Sequence, residues 1–169
     1  MKILIGKIRN KTNYSDLSFD DILRILHNTE TSERTLWELI KADDNQWYID
    51  MVPTAVNITD EMLEYLANDK GRDVRANVAQ CHETSPELLD KLADDSTELV
   101  RYRVSKNPNT SAETLDKLAD DSNEYTRRNV AEHKNTSVET LKKMYTNPSD
   151  HNIFNVVVTR RLRELGEIE

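Results

Sequence analysis

The feature that most constrains the fold of this chain is a repeat with a period of 26 residues. The segment TSPELLDKLADDS at 84–96 recurs as TSAETLDKLADDS at 110–122, and an Arg and then a Val follow both copies at matched offsets. A fixed period between about 20 and 50 residues is typical of stacked supersecondary units. The sequence therefore predicts a repeat architecture before any local propensity is considered.

Four columns of residues keep this period through four copies of the repeat. Three columns are apolar and one is acidic: Leu63, Leu89, Leu115 and Leu141; Leu66, Leu92, Leu118 and Met144; Val78, Val104, Val130 and Val156; and Glu61, Glu87, Glu113 and Glu139. Apolar residues that recur at helical spacing mark the buried stripe of an amphipathic helix. The apolar columns are therefore the predicted core.

A degenerate copy precedes the regular ones. Leu36 lies 27 residues before Leu63 and Met51 lies 27 before Val78, so one inserted residue accounts for the slip, and Trp47 falls within the same copy. The predicted organisation is one repeat domain over residues 1–169. It comprises an N-terminal cap at 1–27, the degenerate repeat at 28–56, regular repeats at 57–82, 83–108 and 109–134, and a C-terminal repeat and cap at 135–169.

Helix starts are predicted from capping patterns. Thr84, Thr110 and Thr136 are each followed three residues later by Glu, which is the capping-box spacing, so we expect these threonines to be N-caps. Ser18 and Asp21 predict a further capped helix with Phe19 on its apolar face.

Each repeat is predicted to contain two short helical elements joined by an acidic turn. The first helix carries the leucines, and the second element presents Val100 and Val104 four residues apart and is either a short α-helix or a 3₁₀ helix. A pair this small cannot bury its own apolar stripe and must stack on its neighbours. The predicted fold class is all-α, an α-solenoid of 26-residue helical repeats.

The repeats resemble the variant leucine-rich repeat family of bacterial proteins, which read as a Thr-rich start, Leu-x-x-Leu-Ala, an acidic turn, then Val-Arg and Val-Ala. The likeness covers about residues 28–158 and is clearest at 89–95, Val100-Arg101 and Val104, and at Val74-Arg75 with Val78-Ala79. It implies a right-handed superhelix of alternating α and 3₁₀ helices, close in appearance to HEAT repeats. Architecture rather than a shared reaction defines this family, so the resemblance implies no particular activity.

Composition and cysteine usage argue against several classes of function. The single cysteine, Cys81, excludes an intrachain disulfide and, within this chain, a multi-thiolate zinc site or iron–sulfur cluster. Three glycines leave no phosphate-binding loop, and no nucleophile–base pair or metal-spaced set of ligands is visible. We therefore expect no enzyme activity, no metal and no cofactor. No stretch has the length of a membrane span or the pattern of a signal peptide, so a cytoplasmic location is expected.

An arginine column, Arg75, Arg101 and Arg127, keeps the period and follows the acidic turns. A guanidinium can bond both turn carboxylates and the carbonyls left unpaired at helix ends. We therefore interpret this column as a structural ladder.

Residues that vary while the scaffold repeats are where a solenoid usually binds its partner. Such positions on the second elements form a basic stripe, extended by Arg160 and Arg161; its members are Asn77, Tyr102, Arg103, Lys106, Arg128 and Asn129. The hypothesis is a non-enzymatic protein-interaction scaffold that binds an acidic segment of a partner. The alternative is a nucleic acid or phosphate ligand, which the net charge of −8 disfavours. Arg103 and Arg128 are both expected to be exposed.

Overall fold

The computed structural model describes residues 17–42, 49–145 and 153–169. These residues form helices and turns without a strand, which confirms the all-α prediction. None of the helices in the described ranges is long and apolar enough to cross a membrane. The chain divides into two compact units, Met1–Val78 and Ala79–Glu169, and each is described by itself. The single repeat domain stays a prediction, and Trp47 lies outside the described residues.

The first unit combines short α-helices with a 3₁₀ helix. In chain order its elements are α1 (Phe19–Leu26), α2 (Glu33–Ile40), a 3₁₀ helix (Ile49–Thr54), α3 (Asp60–Leu66) and α4 (Arg72–Gln80), whose last two residues belong to the second unit. Its core is apolar throughout and includes Ile22, Leu26, Leu36, Leu39, Val52, Met62, Leu63 and Leu66, all fully buried.

The second unit alternates two kinds of helix. Its elements are α5 (Pro86–Leu92), α6 (Glu98–Lys106), α7 (Ala112–Leu118), α8 (Glu124–Glu132), α9 (Val138–Met144) and α10 (Ile153–Glu164). The first helices α5, α7 and α9 have seven residues each, and the second helices α6 and α8 have nine. The question left open by the sequence is thus answered for these two repeats, where the second element is an α-helix.

The leucine columns form the core as predicted. Leu89, Leu115 and Leu141 are completely buried in the second unit, as Leu63 is in the first. Leu88 and Leu89 face inward, whereas Asp90 is exposed, which is the amphipathic pattern expected for α5. The valine column holds for Val78, Val104 and Val130, each at 0% exposure.

Two expectations about buried residues are wrong. Val156 is 58% exposed, and Val158 and Leu162 are buried instead. Three consecutive valines on a helix cannot all face one side: Val157 and Val158 are buried, the latter four residues before Leu162, and Val156 faces solvent. Phe19 is 55% exposed because Ile22, Ile25 and Leu26 form the buried stripe of α1.

The predicted N-caps are displaced by one residue. The caps of α5, α7 and α9 are Ser85, Ser111 and Ser137, whose hydroxyls accept the N–H groups of Leu88, Thr114 and Thr140, respectively. The capping box at Ser18 and Asp21 is present as predicted.

The threonine before each serine has a different role. The buried Thr110 hydroxyl donates to the carbonyl of Val104 over 2.6 Å, and Thr136 donates in the same way to Val130. In the first unit Thr31 donates to Ile25 over 2.7 Å. Each bond adds a second donor to a carbonyl near the end of the preceding helix, which also accepts a backbone N–H, from Asn107, His133 or Asn28, respectively.

A second column, which the sequence analysis missed, joins loops of neighbouring repeats. The Nδ2 amide of Asn57 donates to the carbonyls of Thr29 and Thr31 in the first unit, over 3.0 and 2.9 Å. In the second unit the bonds run from Asn109 to His82 and Thr84, and from Asn135 to Pro108 and Thr110. Asn57, Asn109 and Asn135 share one repeat position, at which the intervening repeat carries Glu83. The 26-residue period could therefore have revealed this column.

The leucine register can be tested by replacing Leu115 with alanine. Because Leu115 is fully buried, we expect Leu115→Ala to lower the free energy of unfolding by about 2 to 5 kcal/mol in urea titrations. Glu113→Ala, on the exposed face of the same helix, is the matched control and should change it by less than about 0.5 kcal/mol. Equal effects of the two substitutions would contradict the register.

Candidate interaction surface

The predicted arginine ladder lies against the acidic turns. In each turn the Oδ1 atom of an aspartate accepts the backbone N–H of the residue two positions later. The bonds run from Gly71 to Asp69 over 2.7 Å, from Thr97 to Asp95 over 2.8 Å and from Asn123 to Asp121 over 2.8 Å. The arginine six residues after each aspartate donates from Nη1 to that aspartate's backbone carbonyl. The three bonds are Arg75 to Asp69, Arg101 to Asp95 and Arg127 to Asp121, over 2.7, 2.8 and 2.7 Å.

Arg101 also reaches the turn of the next repeat. Its Nε and Nη2 donate to Oδ2 and Oδ1 of Asp121 over 2.6 and 3.3 Å, so the carboxylate is held at both oxygens. The two side chains are only 15% and 4% exposed. The Asp121 hydrogen bond raises the pKa of Arg101. Burial raises the pKa of Asp121, but the Arg101 bond, the Asn123 N–H and the charges of Arg101 and Arg127 bring it below its ordinary value.

The candidate binding residues of the second unit lie on α6 and α8, which pack against each other. Tyr102 is half-buried, and the Nζ of Lys106 lies 5.5 Å from the centre of its ring. Arg103 donates from Nη1 to Gln80 Oε1, and its Nε atom is buried. The expectation that Arg103 is exposed is therefore wrong, because the side chain folds back onto the neighbouring repeat.

The two candidate asparagines make hydrogen bonds within the protein. Asn129 on α8 donates over 3.0 Å to the hydroxyl of Ser105 on α6, and that hydroxyl donates to the Tyr102 carbonyl over 2.8 Å. In the first unit, Asn77 donates to the Asp50 carbonyl over 2.6 Å. Both amides therefore have a structural role, whatever else they contact.

Lys106 and Arg128 are the exposed basic residues of the α6–α8 surface, a name used here for Tyr102, Lys106, Arg128 and Glu132. The Arg128 Nε lies 3.3 Å from Glu132 Oε1, one helical turn on, and both side chains keep much of their exposure, 46% and 38%. Gln80 and Glu132, the partners that the sequence analysis missed, occupy the same repeat position as Lys106.

The arginines on α10 are held close to their own helix. Arg160 and Arg161 each lie 3.8 Å from a Glu164 carboxylate oxygen, and the Arg161 side chain is 22% exposed. Of the two, Arg160 presents more of its charge to solvent, at 59% exposure.

The first helices of the second unit pair their charges across repeats. Lys117 Nζ lies 3.2 Å from Asp90 and 2.8 Å from Asp94. One repeat later, Lys143 Nζ lies 3.6 Å from Asp116 and 3.5 Å from Asp120. Each of these lysines thus faces two carboxylates, whereas Arg128 on the α6–α8 surface is paired with one among the residues that the structure describes.

Within the described ranges no cluster of three or more His, Cys, Asp or Glu side chains is arranged to hold a metal ion. Burial raises the pKa of the Cys81 thiol, and the charge of Glu83 adds to this rise, while hydrogen bonds at Glu83 and Thr84 oppose it. The net rise lowers the fraction of reactive thiolate at neutral pH.

No protein-family model, curated protein or solved structure was found to match this chain. The resemblance to variant leucine-rich repeats therefore stays a prediction.

The Arg101–Asp121 pair is tested by Asp121→Asn. Removing the charge leaves a largely buried guanidinium without its ionic partner, so we expect the free energy of unfolding at pH 7 to fall by about 1.5 to 3 kcal/mol. The control is Asp120→Asn, at a side chain that is 79% exposed, which should cost less than about 0.5 kcal/mol.

The same pair predicts a pH dependence. Because folding lowers the pKa of Asp121, its stabilisation is complete above the ordinary value of 3.8 and is lost as the pH falls through the lower value of the folded state. The difference between wild type and Asp121→Asn should accordingly shrink in acid. A difference that is constant down to acid unfolding would contradict the ionic role of Asp121.

Proposed function

We propose that the chain is a non-enzymatic protein-interaction scaffold that binds an acidic segment of a partner on the α6–α8 surface. The supporting observation is the contrast in charge pairing within the second unit. Lys117 and Lys143 on the first helices each face two carboxylates of the preceding repeat. Arg128 faces one exposed glutamate, and Lys106 is exposed above a tyrosine ring. Basic groups that keep their hydration can attract a partner's carboxylates.

The proposal includes a right-handed α-solenoid of the variant leucine-rich repeat type. Support comes from contacts that recur with the repeat in the second unit. Thr114 donates to Asp90 over 3.1 Å, and Thr140 donates to Asp116 over the same distance. Asn109 and Asn135 likewise make equivalent bonds one repeat apart. Equivalent contacts between successive units are what a solenoid requires, and an extended surface for a partner follows from that arrangement.

An acidic peptide fits the α6–α8 surface better than a nucleic acid does. Stacking of successive bases needs several open aromatic faces, but on α6 and α8 the Tyr102 ring is half-buried under Lys106, and Tyr125 alone is largely exposed, at 68%. A carboxylate already lies next to Arg128, at Glu132, so a partner's carboxylate needs only to replace an existing contact of the same chemistry. The net charge of −8 repels a phosphate backbone and an acidic peptide alike at long range, so the preference rests on the local contacts.

The test is a double charge reversal at the two exposed positions, Lys106→Glu with Arg128→Glu. Binding of a fluorescent glutamate-rich peptide, followed by anisotropy at low and high salt, should weaken at least about tenfold, a change of about 1.4 kcal/mol. Thermal unfolding should change little, because exposed ion pairs contribute about 0 to 1 kcal/mol. Arg103 is left intact because its side chain is partly structural.

The matched control is Lys142→Glu with Lys143→Glu on α9, which changes the net charge equally at side chains that are 53% and 50% exposed. It should bind the peptide nearly as well as wild type. Equal loss in both double variants would reduce the effect to net charge and contradict the proposed surface. Tighter binding of a single-stranded oligonucleotide than of the peptide would favour the nucleic-acid alternative.

A further inference from the structure

His133 makes two hydrogen bonds in the loop after α8. Its Nδ1 accepts the N–H of Asn135 over 3.1 Å, and its Nε2 lies 2.9 Å from the carbonyl of Asn107 in the preceding repeat. The side chain is half-buried. Because a carbonyl only accepts, Nε2 carries the proton and Nδ1 does not, so both bonds need the neutral ring in this one tautomer.

The equivalent residue one repeat earlier makes the same contacts without a titrating group. The Asn107 side-chain carbonyl accepts the N–H of Asn109 over 2.9 Å, and its amide donates to the Cys81 carbonyl over 2.8 Å. Asn107 and His133 are 26 residues apart, so the imidazole replaces a carboxamide at one repeat position. The replacement preserves the hydrogen bonds and adds a group that can take up a proton.

The surroundings of His133 oppose that proton. Burial lowers the pKa of His133, and the positive charges of Lys134 in the same loop and Arg161 on α10 lower it further, while the bond to the Asn107 carbonyl raises it. A proton on Nδ1 would also point at the Asn135 N–H, so the two donors would face each other. Both effects favour the neutral ring in the folded state.

We propose that His133 is an acid-sensitive lock on the loop between α8 and α9. Protonation of Nδ1 removes the acceptor for the Asn135 N–H and adds a third positive charge beside Lys134 and Arg161. The loop then detaches from the preceding repeat, and the rest of the unit stays folded.

Opening of this loop would affect the hydrogen bonds that hold the start of α9. The same loop carries Asn135, whose amide bridges the carbonyls of Pro108 and Thr110, and Thr136, whose hydroxyl donates to Val130. It ends at Ser137, the N-cap of α9. These bonds fix the start of α9, so a detached loop would loosen α9 first. The proposal does not depend on the α6–α8 surface binding any partner.

The experiment follows the Asn135 backbone amide and the His133 ring by NMR between pH 7.5 and 5. We expect the hydrogen-exchange protection factor of Asn135, corrected for the intrinsic pH dependence of exchange, to fall about tenfold as His133 takes up its proton, equivalent to about 1.4 kcal/mol. The backbone N–H of Asn109, which donates to the side chain of Asn107 in the equivalent loop, is the internal control and should keep its protection.

The matched variant is His133→Asn, which places at 133 the residue found at the equivalent position 107. It should keep wild-type protection of Asn135 at pH 7.5 and lose the decrease in acid. Three results would overturn the proposal: a His133 ring that stays neutral down to pH 5, an Asn135 protection factor that stays constant while His133 titrates, or a decrease that persists in His133→Asn. The exposed His27 and His82 remain in both proteins, so they cannot explain a difference between them.

Discussion

Hydrogen bonds from side chains of one repeat to loop carbonyls of the repeat before it are the constraint on which each unit depends. A helix of seven residues leaves most of its end groups without a partner inside the helix. In the second unit Asn109 and Asn135 satisfy carbonyls of the preceding loop, and Asn57 does so in the first. Several of these bonds are partly buried, so the carbonyls that accept them have limited access to water once the repeats are stacked. Stacking therefore satisfies polar groups as well as burying leucines.

On the outer face of the first helices, equivalent positions carry ion pairs in one unit and an aromatic pair in the other. In the second unit each neighbouring pair is a carboxylate and an ammonium, as at Asp90 and Lys117. In the first unit the corresponding pair is Trp37 and Tyr65, whose rings lie 5.7 Å apart edge to face, with the Lys41 Nζ 4.4 Å from the centre of the Trp37 ring. Aromatic and ionic pairs both hold adjacent helices, so this position maintains the stacking without fixing the residue type.

The sequence predicted the parts of the structure that depend on periodic burial. Leu89 and Leu115 recur at helical spacing, and only one helix face can bury them. Prediction failed where two neighbours were equally suitable. Thr110 and Ser111 can both cap a helix, and burial of the threonine against the Val104 carbonyl decided between them. Arg103 was misjudged because its exposure depends on Gln80, which lies far away in sequence.

Two repeat positions carry different residue types in successive repeats, and their contacts distinguish a scaffold position from a surface position. Asn77 and Asn129 share a repeat position with Arg103, and all three reach back to an earlier repeat, so that position serves the scaffold in each case. The position three residues on behaves differently, since Gln80, Lys106 and Glu132 are neutral, positive and negative there and all are exposed. The repeat scaffold thus does not require one particular charge at this position, although Gln80 itself accepts a hydrogen bond from Arg103. Lys106 is therefore a better candidate for contact with a partner than Arg103, whose side chain is bonded to Gln80.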